Sequence, residues 1–285
     1  MSFAVKAHAL MKMSHVLKFV AFIRKNNDIP FIVKKRVFDA ALTSSLLYGC
    51  ESWFTADLKP VNKLYNWCLK EMLGVRKTTC NDICYIESGY PTLQHLIRYR
   101  QHKFFNNIWH ERSNLNDDPL AFVIKTVKET NITTSKLVRE FVSQDVISLE
   151  WQRQITINNL QMNDSSRRQT YKLMNPHFLV NYVYNNRHSI NELHRASFTR
   201  FRVSSHNLVC EMGRWNRQGR GRLPPEDRLC QCGAVQTEQH VVEQCPLTNH
   251  LRQEYGFVTV ADVFSNKFQA DVSCKIVHEI LTPYN

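Results

Sequence analysis

The sequence predicts a mainly α-helical protein in which a helical module is followed by a small Cys/His module, and three observations carry that prediction. Breakers are sparse: 8 glycines and 9 prolines in 285 residues are too few for a many-turned β architecture. Between them run stretches rich in Leu, Lys, Phe and Ile, whose apolar positions recur at the three- and four-residue spacing of one helix face. Near the C-terminus, three cysteines and a histidine fall within 16 residues. A hydrophobic fraction of 43% over this length is enough to bury a core in two or three compact units, so a folded protein is expected.

Residues Phe3 to Ile23 are dense enough in apolar side chains for a helix buried on most sides, with Lys6, Lys12, Lys18 and Arg24 marking the face that meets water. Asp28-Ile29-Pro30 interrupts it. Pro30, which has no N–H to leave unsatisfied, suits the first position of a second helix running through Val33, Val37 and Ala41 to about Leu47, where Gly49 supplies a stop. A third helix reads from Leu58 through Val61, Tyr65, Cys68 and Met72 and closes at Gly74, a residue able to take the left-handed conformation that ends helices. A fourth starts near Pro91 and turns Leu93, Ile97, Phe104 and Ile108 inward, while Arg98, Arg100, His102 and Lys103 crowd its middle. Those cations either track a phosphate backbone or form a solvated helix face.

The polar break Asn114 to Pro119 sets a first boundary, giving a helical module over 1–115. Residues 116–194 form a helical linker segment with shorter stretches at Leu137 to Val142 and Tyr171 to Tyr184. A change of composition at Arg195 opens the last unit, 195–285. Charge follows the same division: +9 for 1–115, +1 for 116–194, +5 for 195–228 and −3 for 229–285, within a total of +12. The two basic blocks are candidate surfaces for a polyanion, the alternative being that the excess Lys and Arg only keep the protein in solution. No signal peptide opens the chain and no run of 18 uncharged apolar residues occurs, so no membrane partner and an intracellular location, nucleus or cytoplasm, are expected. Nine cysteines, two of them one residue apart, do not read as a secreted disulfide framework. No Ser/His/Asp, paired-carboxylate or phosphate-loop constellation stands out, so no enzyme is expected.

The sharpest local pattern is Cys230-Gln231-Cys232-Gly233, then His240, then Cys245-Pro246, a C-x-C-x7-H-x4-C spacing. Three soft sulfurs and one imidazole are what tetrahedral Zn2+ prefers, and four protein ligands leave no open position, which suits structural use. Gly233 would let the chain turn tightly beneath the sulfurs, and Glu238, Val241 and Val242 fit a short helix presenting His240, the layout of a zinc knuckle. The competing reading is ordinary buried cysteines beside a histidine. Cys80, Cys84 and His95 make an incomplete second set and are read as free thiols and a histidine, while Cys50, Cys68, Cys210 and Cys274 are expected in the core. Upstream of the knuckle lie Arg200, Arg202, Arg214, Arg217, Arg220, Arg222 and Arg228 around Trp215, a composition suited to guanidinium–phosphate contacts and stacking on exposed bases, although a buried tryptophan is the commoner case.

Two segments resemble the C-terminal part of reverse transcriptases of non-LTR (LINE-like) retrotransposons. One is Ala40-Ala41-Leu42-Thr43-Ser44-Ser45-Leu46-Leu47-Tyr48-Gly49-Cys50-Glu51-Ser52-Trp53 with Met72-Leu73-Gly74-Val75, which is similar to the family's helical thumb and connector. The other is Phe201-Arg202-Val203-Ser204-Ser205-His206-Asn207-Leu208, Glu211-Met212-Gly213-Arg214-Trp215 and Pro225-Glu226-Asp227-Arg228-Leu229-Cys230 up to Cys245-Pro246, which is similar to the terminal Cys/His region. The resemblance implies a thumb/connector-like module that grips nucleic acid, a terminal zinc region that assists recognition of RNA or DNA, and a structural zinc ion as cofactor. It does not bring polymerase activity, because the family's Tyr/Phe-x-Asp-Asp hairpin has no counterpart: the adjacent pair Asp117-Asp118 sits in a polar stretch and is expected to be a loop. The partners implied are RNA or DNA, with a separate polymerase palm or self-association as the alternative, in which Phe3, Val5, Phe19 and Phe22 would lack their original cover.

Overall fold

The computed structural model describes residues 2–53, 57–106, 156–158, 166–184, 190–215, 221–265 and 267–284, and these are mainly helical. The first part runs α1 (Ser2–Lys25), α2 (Phe31–Val37), α3 (Ser44–Leu46), α4 (Lys59–Leu73), α5 (Asn81–Ser88) and α6 (Leu93–Asn106), with π-helical Phe38–Thr43 joining α2 to α3. The second runs α7 (Ser166–Met174), a 3-10 turn at Tyr182–Tyr184, α8 (Glu192–Arg202), α9 (Val209–Met212), α10 (Glu238–Glu243), α11 (Asn249–Tyr255), α12 (Val260–Phe264) and α13 (Ala270–Leu281). Among the described residues, extended pairing is limited to one antiparallel bridge, Leu229 with Val235.

Helix α1 lies along α4 and buries Val5, Ala9, Val16, Phe19, Val20 and Ile23 at helical spacing. Each of the valine, isoleucine and phenylalanine side chains contributes about 1.5–3 kcal/mol when fully removed from water. The rest of α1 corrects the expectation of a helix covered on most sides: Phe3 (85% exposed), Leu10, Met11 and Leu17 face solvent, whereas Val5 and Phe19 are packed and Phe22 is half covered. Phe38, Leu42, Leu46, Leu47 and the α4 stripe Val61, Leu64, Tyr65, Cys68, Leu69 and Met72 complete this first core, with Leu93 and Ile97 of α6. Pro30 caps α2 from outside rather than opening it, at ψ 143°, and its carbonyl accepts from Lys34 N. Gly74 stops α4 in the left-handed conformation at φ 74°, whereas α3 already ends at Leu46 with Leu47 as its cap, and Gly49, at φ 71°, opens the 3-10 turn Cys50–Ser52 instead. Helix α5, ended by Gly89, was not expected. Phe104 is exposed, not inward, because α6 turns Leu93, Ile97 and Gln101 to the core. Ile108, Leu137 to Val142 and Asp117-Asp118 lie outside the described residues.

The second core packs α8 against α13 through Phe198, Phe201, Cys274, Ile276, Val277, Ile280 and Leu281, with Val241 and Val242 of α10 beneath. The helix expected over Tyr171 to Tyr184 ends at Met174, because Pro176 cannot continue it and the Asn175 side chain pairs with the backbone of Leu179 in both directions.

Helix α8 also faces the first core, and the 194/195 boundary falls inside it. The buried Glu192 carboxylate pairs with Lys34 of α2 (2.6 Å) and with Arg195 (2.7 Å), and Arg195 also donates to the Leu73 carbonyl. Two turns on, Arg202 donates from Nε to Glu87 of α5 (2.7 Å) and from Nη2 to its other oxygen (3.1 Å). Tyr171 and Tyr184 each donate a hydroxyl to the same carboxylate at 2.8 Å. The 115/116 boundary lies outside the described residues.

Candidate metal centre and the arginine segment

The four residues singled out from spacing converge. The ligand atoms of Cys230, Cys232, His240 and Cys245 all lie within 4.8 Å of one another, so the cluster could hold a metal ion. Cys230 Sγ is 3.7 Å from Cys245 Sγ, and Cys232 Sγ is 3.2 Å from His240 Nε2. Cys230, His240 and Cys245 are buried and Cys232 is half-buried.

Local chemistry explains the convergence. The Leu229–Val235 bridge closes a small hairpin in which Gly233 N donates to Cys230 O (2.9 Å) and Cys230 N donates to Ala234 O (2.7 Å). That turn needs Gly233 at φ 90°, a conformation that side-chain-bearing residues rarely adopt. Thr237 caps α10 by accepting from His240 N, so the helix starts in the register that aims His240 at the hairpin. Cys245 N then donates to His240 O (2.8 Å), folding the third cysteine back, and Arg252 of α11 donates to the Cys245 carbonyl (2.6 Å).

Sequence reasoning missed Tyr284. Its hydroxyl lies 3.1 Å from Cys245 Sγ, where either atom can donate, and 3.8 Å from Cys230 Sγ. Nothing in the local pattern signals it, since 39 residues separate it from Cys245. Burial opposes ionisation of Cys230, yet hydrogen bonds from the Cys232 backbone and from the Cys232, His240 and Tyr284 side chains outweigh it and lower the Cys230 pKa to about 6. Burial keeps the Cys245 thiol raised. One sulfur is thus readied as a thiolate, the form a metal ligand requires.

The candidate nucleic-acid residues divide. Arg202 is 1% exposed and spent on Glu87, which removes it from any surface. Arg200 is exposed: its Nε donates to Gly74 O, and with Arg76, Ser205 and Asn207 it lines a cleft of about 230 Å3. Arg214 is half-buried and pairs with Glu211 at 3.1 Å. Arg228 is half-buried too, donating to the Leu223 carbonyl (2.7 Å). Trp215 is half-buried and Arg222 exposed; Arg217 and Arg220 lie outside the described residues. On α6, Arg98 and Lys103 are exposed while Arg100 leans on the Cys50 thiol.

Of the cysteines outside the cluster, Cys50, Cys68, Cys84, Cys210 and Cys274 are buried, and Cys80 with Cys84 and His95 forms no ligand set among the described residues. No helix among the described residues is long and apolar enough to cross a membrane. No family model, curated protein or solved structure matches this chain.

Proposed function

We propose that the chain is a non-catalytic nucleic-acid-binding protein related to the C-terminal part of non-LTR retrotransposon reverse transcriptases, in which a structural zinc ion orders an arginine-bearing segment. The observation that carries this reading is the direct fastening of that segment to the Cys/His hairpin. Gln236 N, one residue beyond the bridge, donates to the Arg228 carbonyl (2.7 Å), and Leu223 N donates to the Gly213 carbonyl (2.9 Å), so closing the hairpin sets the backbone that carries Arg214, Trp215, Arg222 and Arg228.

Zinc fits the donor set. Bonds of about 2.3 Å to sulfur and about 2.0 Å to nitrogen place tetrahedral ligands about 3.8 Å apart for two sulfurs and about 3.5 Å for sulfur and nitrogen. The corresponding separations here are 3.7 and 3.2 Å. Three thiolates and a neutral imidazole leave the centre one formal negative charge, so the centre as a whole repels phosphate and the arginines do the binding. The thumb/connector-like character of residues 1–115 belongs to the same proposal and rests on the resemblance of Ala40 to Trp53.

The test is binding of labelled single-stranded RNA and DNA across a salt series, with and without a zinc chelator. Neutralising about five phosphates gives a log–log salt slope near −3.5, about a hundredfold loss between 50 and 200 mM. A flat salt dependence, or binding indifferent to the chelator, would refute the reading. A second reading, association through protein surfaces, is favoured by the exposed Phe3, Leu10 and Leu17, which recur every seven residues along α1 and lie on one side of it. Concentration-dependent self-association without nucleic acid, abolished by Leu10→Glu, would support it.

A further inference from the structure

We propose that His206, Cys210 and Glu238 form a second metal site, for a divalent, borderline-soft cation of the zinc type, next to the Cys230 cluster and distinct from it. The ligand atoms of these three residues lie within 4.8 Å of one another, and all three residues are at least nine-tenths buried, at 2%, 5% and 5% exposure. They come from three pieces of chain: the turn after α8, the first turn of α9, and the first residue of α10.

Three observations separate this group from a chance huddle of core residues. Neither ring nitrogen of His206 nor Glu238 Oε1 has an aligned hydrogen-bond partner, the two side chains meeting only each other as a close charge pair. Buried polar atoms without an aligned partner are costly, more so when charged, and a single ion between His206 Nε2 and Glu238 Oε1 would satisfy both at once. His206 Nε2 and Glu238 Oε1 stand 3.3 Å apart, close enough for attraction yet without the alignment of a hydrogen bond. That separation is the edge of a tetrahedron whose bonds to nitrogen and oxygen are about 2.0–2.1 Å. The turn that carries His206 is fixed as well: Arg76 donates to the His206 backbone carbonyl (2.7 Å) and to Asn207 Oδ1 (2.7 Å), and the Phe201 ring lies 5.3 Å from the imidazole.

Charge favours the same conclusion. A carboxylate, a thiolate and a neutral imidazole sum to two negative charges, which a divalent cation cancels, and a buried site with no net charge avoids the desolvation penalty of a bare ion. A harder cation such as Mg2+ or Ca2+ is disfavoured by the sulfur. Three protein ligands leave one tetrahedral position for a small exogenous ligand such as water. The ion would tie the turn after α8 and the start of α9 to α10, holding the arginine-bearing chain from its other end. The inference stands on its own ligands and does not require the nucleic-acid reading.

The experiment measures zinc per chain in the full-length protein after dialysis against metal-free buffer, for wild type, Glu238→Gln and Cys210→Ala, together with zinc X-ray absorption on the wild type. Two zinc ions per chain are expected in the wild type and one in each variant. Because the first centre supplies three sulfurs and the second one, the wild type should show about two sulfurs per zinc on average. The absorption measurement decides the matter even if a variant fails to fold. One zinc per chain in the wild type, about three sulfurs per zinc, or two ions retained by folded variants would each overturn the proposal.

Discussion

Replacing Glu87 by Gln tests whether α8 is docked on the first core as a load of buried charge requires. Glu87 is 0% exposed and accepts four hydrogen bonds, two from Arg202 and one each from Tyr171 and Tyr184. Burial works against the Arg202 charge, but the Glu87 carboxylate and the two tyrosines raise its pKa above the ordinary guanidinium value, so the charge persists in the core. The amide keeps the shape and one acceptor oxygen while removing the compensating charge and aiming an N–H at a donor. Breaking a buried pair on one side costs about 3–5 kcal/mol, which lowers Tm by roughly 6–10 °C at about 2 °C per kcal/mol for a chain of this size. Removing the stranded charge as well, with Arg202→Met in the Glu87→Gln background, should cost less than the two single changes added together. Urea unfolding followed by tryptophan fluorescence and circular dichroism reads all three variants. If Glu87→Gln stays within about 0.5 kcal/mol of wild type and Arg202→Met instead reduces the salt slope of nucleic-acid binding by about 1, Arg202 is on the surface and the packing argument fails.

Cys245→Ser should abolish metal binding at the first centre and make the 229–236 hairpin protease-sensitive, while Val241 and Val242 keep α10 in the second core and most helical signal survives; intact hairpin digestion patterns would contradict this. In zinc-finger peptides the metal contributes about 10 kcal/mol or more to folding, so the chelator should lower Tm by clearly more in wild type than in Cys245→Ser, which has already lost the first centre. Gly233→Ala places a methyl group in open space, so its cost is backbone strain alone: about 1–2 kcal/mol at φ 90°, seen as a roughly tenfold weaker metal affinity in a competition titration. Asp262 accepts from the backbone N–H groups of Val258 and Thr259, which hold its pKa at about 2 against about 3.9 unfolded. A depressed carboxylate contributes stability that is present above about pH 3.9 and lost as pH falls through about 2. Asp262→Asn should therefore be less stable than wild type by about 0.5–1 kcal/mol at pH 7, with the gap closing near pH 2; a gap independent of pH would sink the assignment.

Helix periods and stops were legible because they are local. The three-and-four spacing of Val61, Tyr65, Cys68 and Met72 needs only neighbouring residues to be recognised, and Gly74 ends that helix for a reason intrinsic to glycine. The π-helical stretch at Phe38–Thr43 was not legible, since its apolar pattern reads equally well at the α period. The Cys/His quartet was legible because four ligands at short spacing on a hairpin and one helical turn can hardly avoid one another once Gly233 bends the chain. His206, Cys210 and Glu238 escaped notice because each alone looks like an ordinary core residue and the third lies 28 positions beyond Cys210.

By itself, then, the sequence determined the helical class, the breaks between most helices and which four Cys and His residues converge into a cluster that could hold a metal ion, since propensity, capping and ligand softness are properties of residues and their near neighbours. Which side of α1 is covered, which arginine is spent inside and which remains at the surface were decided only by tertiary packing. Arg200 and Arg202 sit two residues apart with the same chemistry, yet a helix turns them by about 200°, one toward the Gly74 carbonyl at the rim of a cleft and the other into the Glu87 carboxylate. The energy that separates those fates is the cost of burying a charge without its partner, and the partner is 115 residues away in the chain.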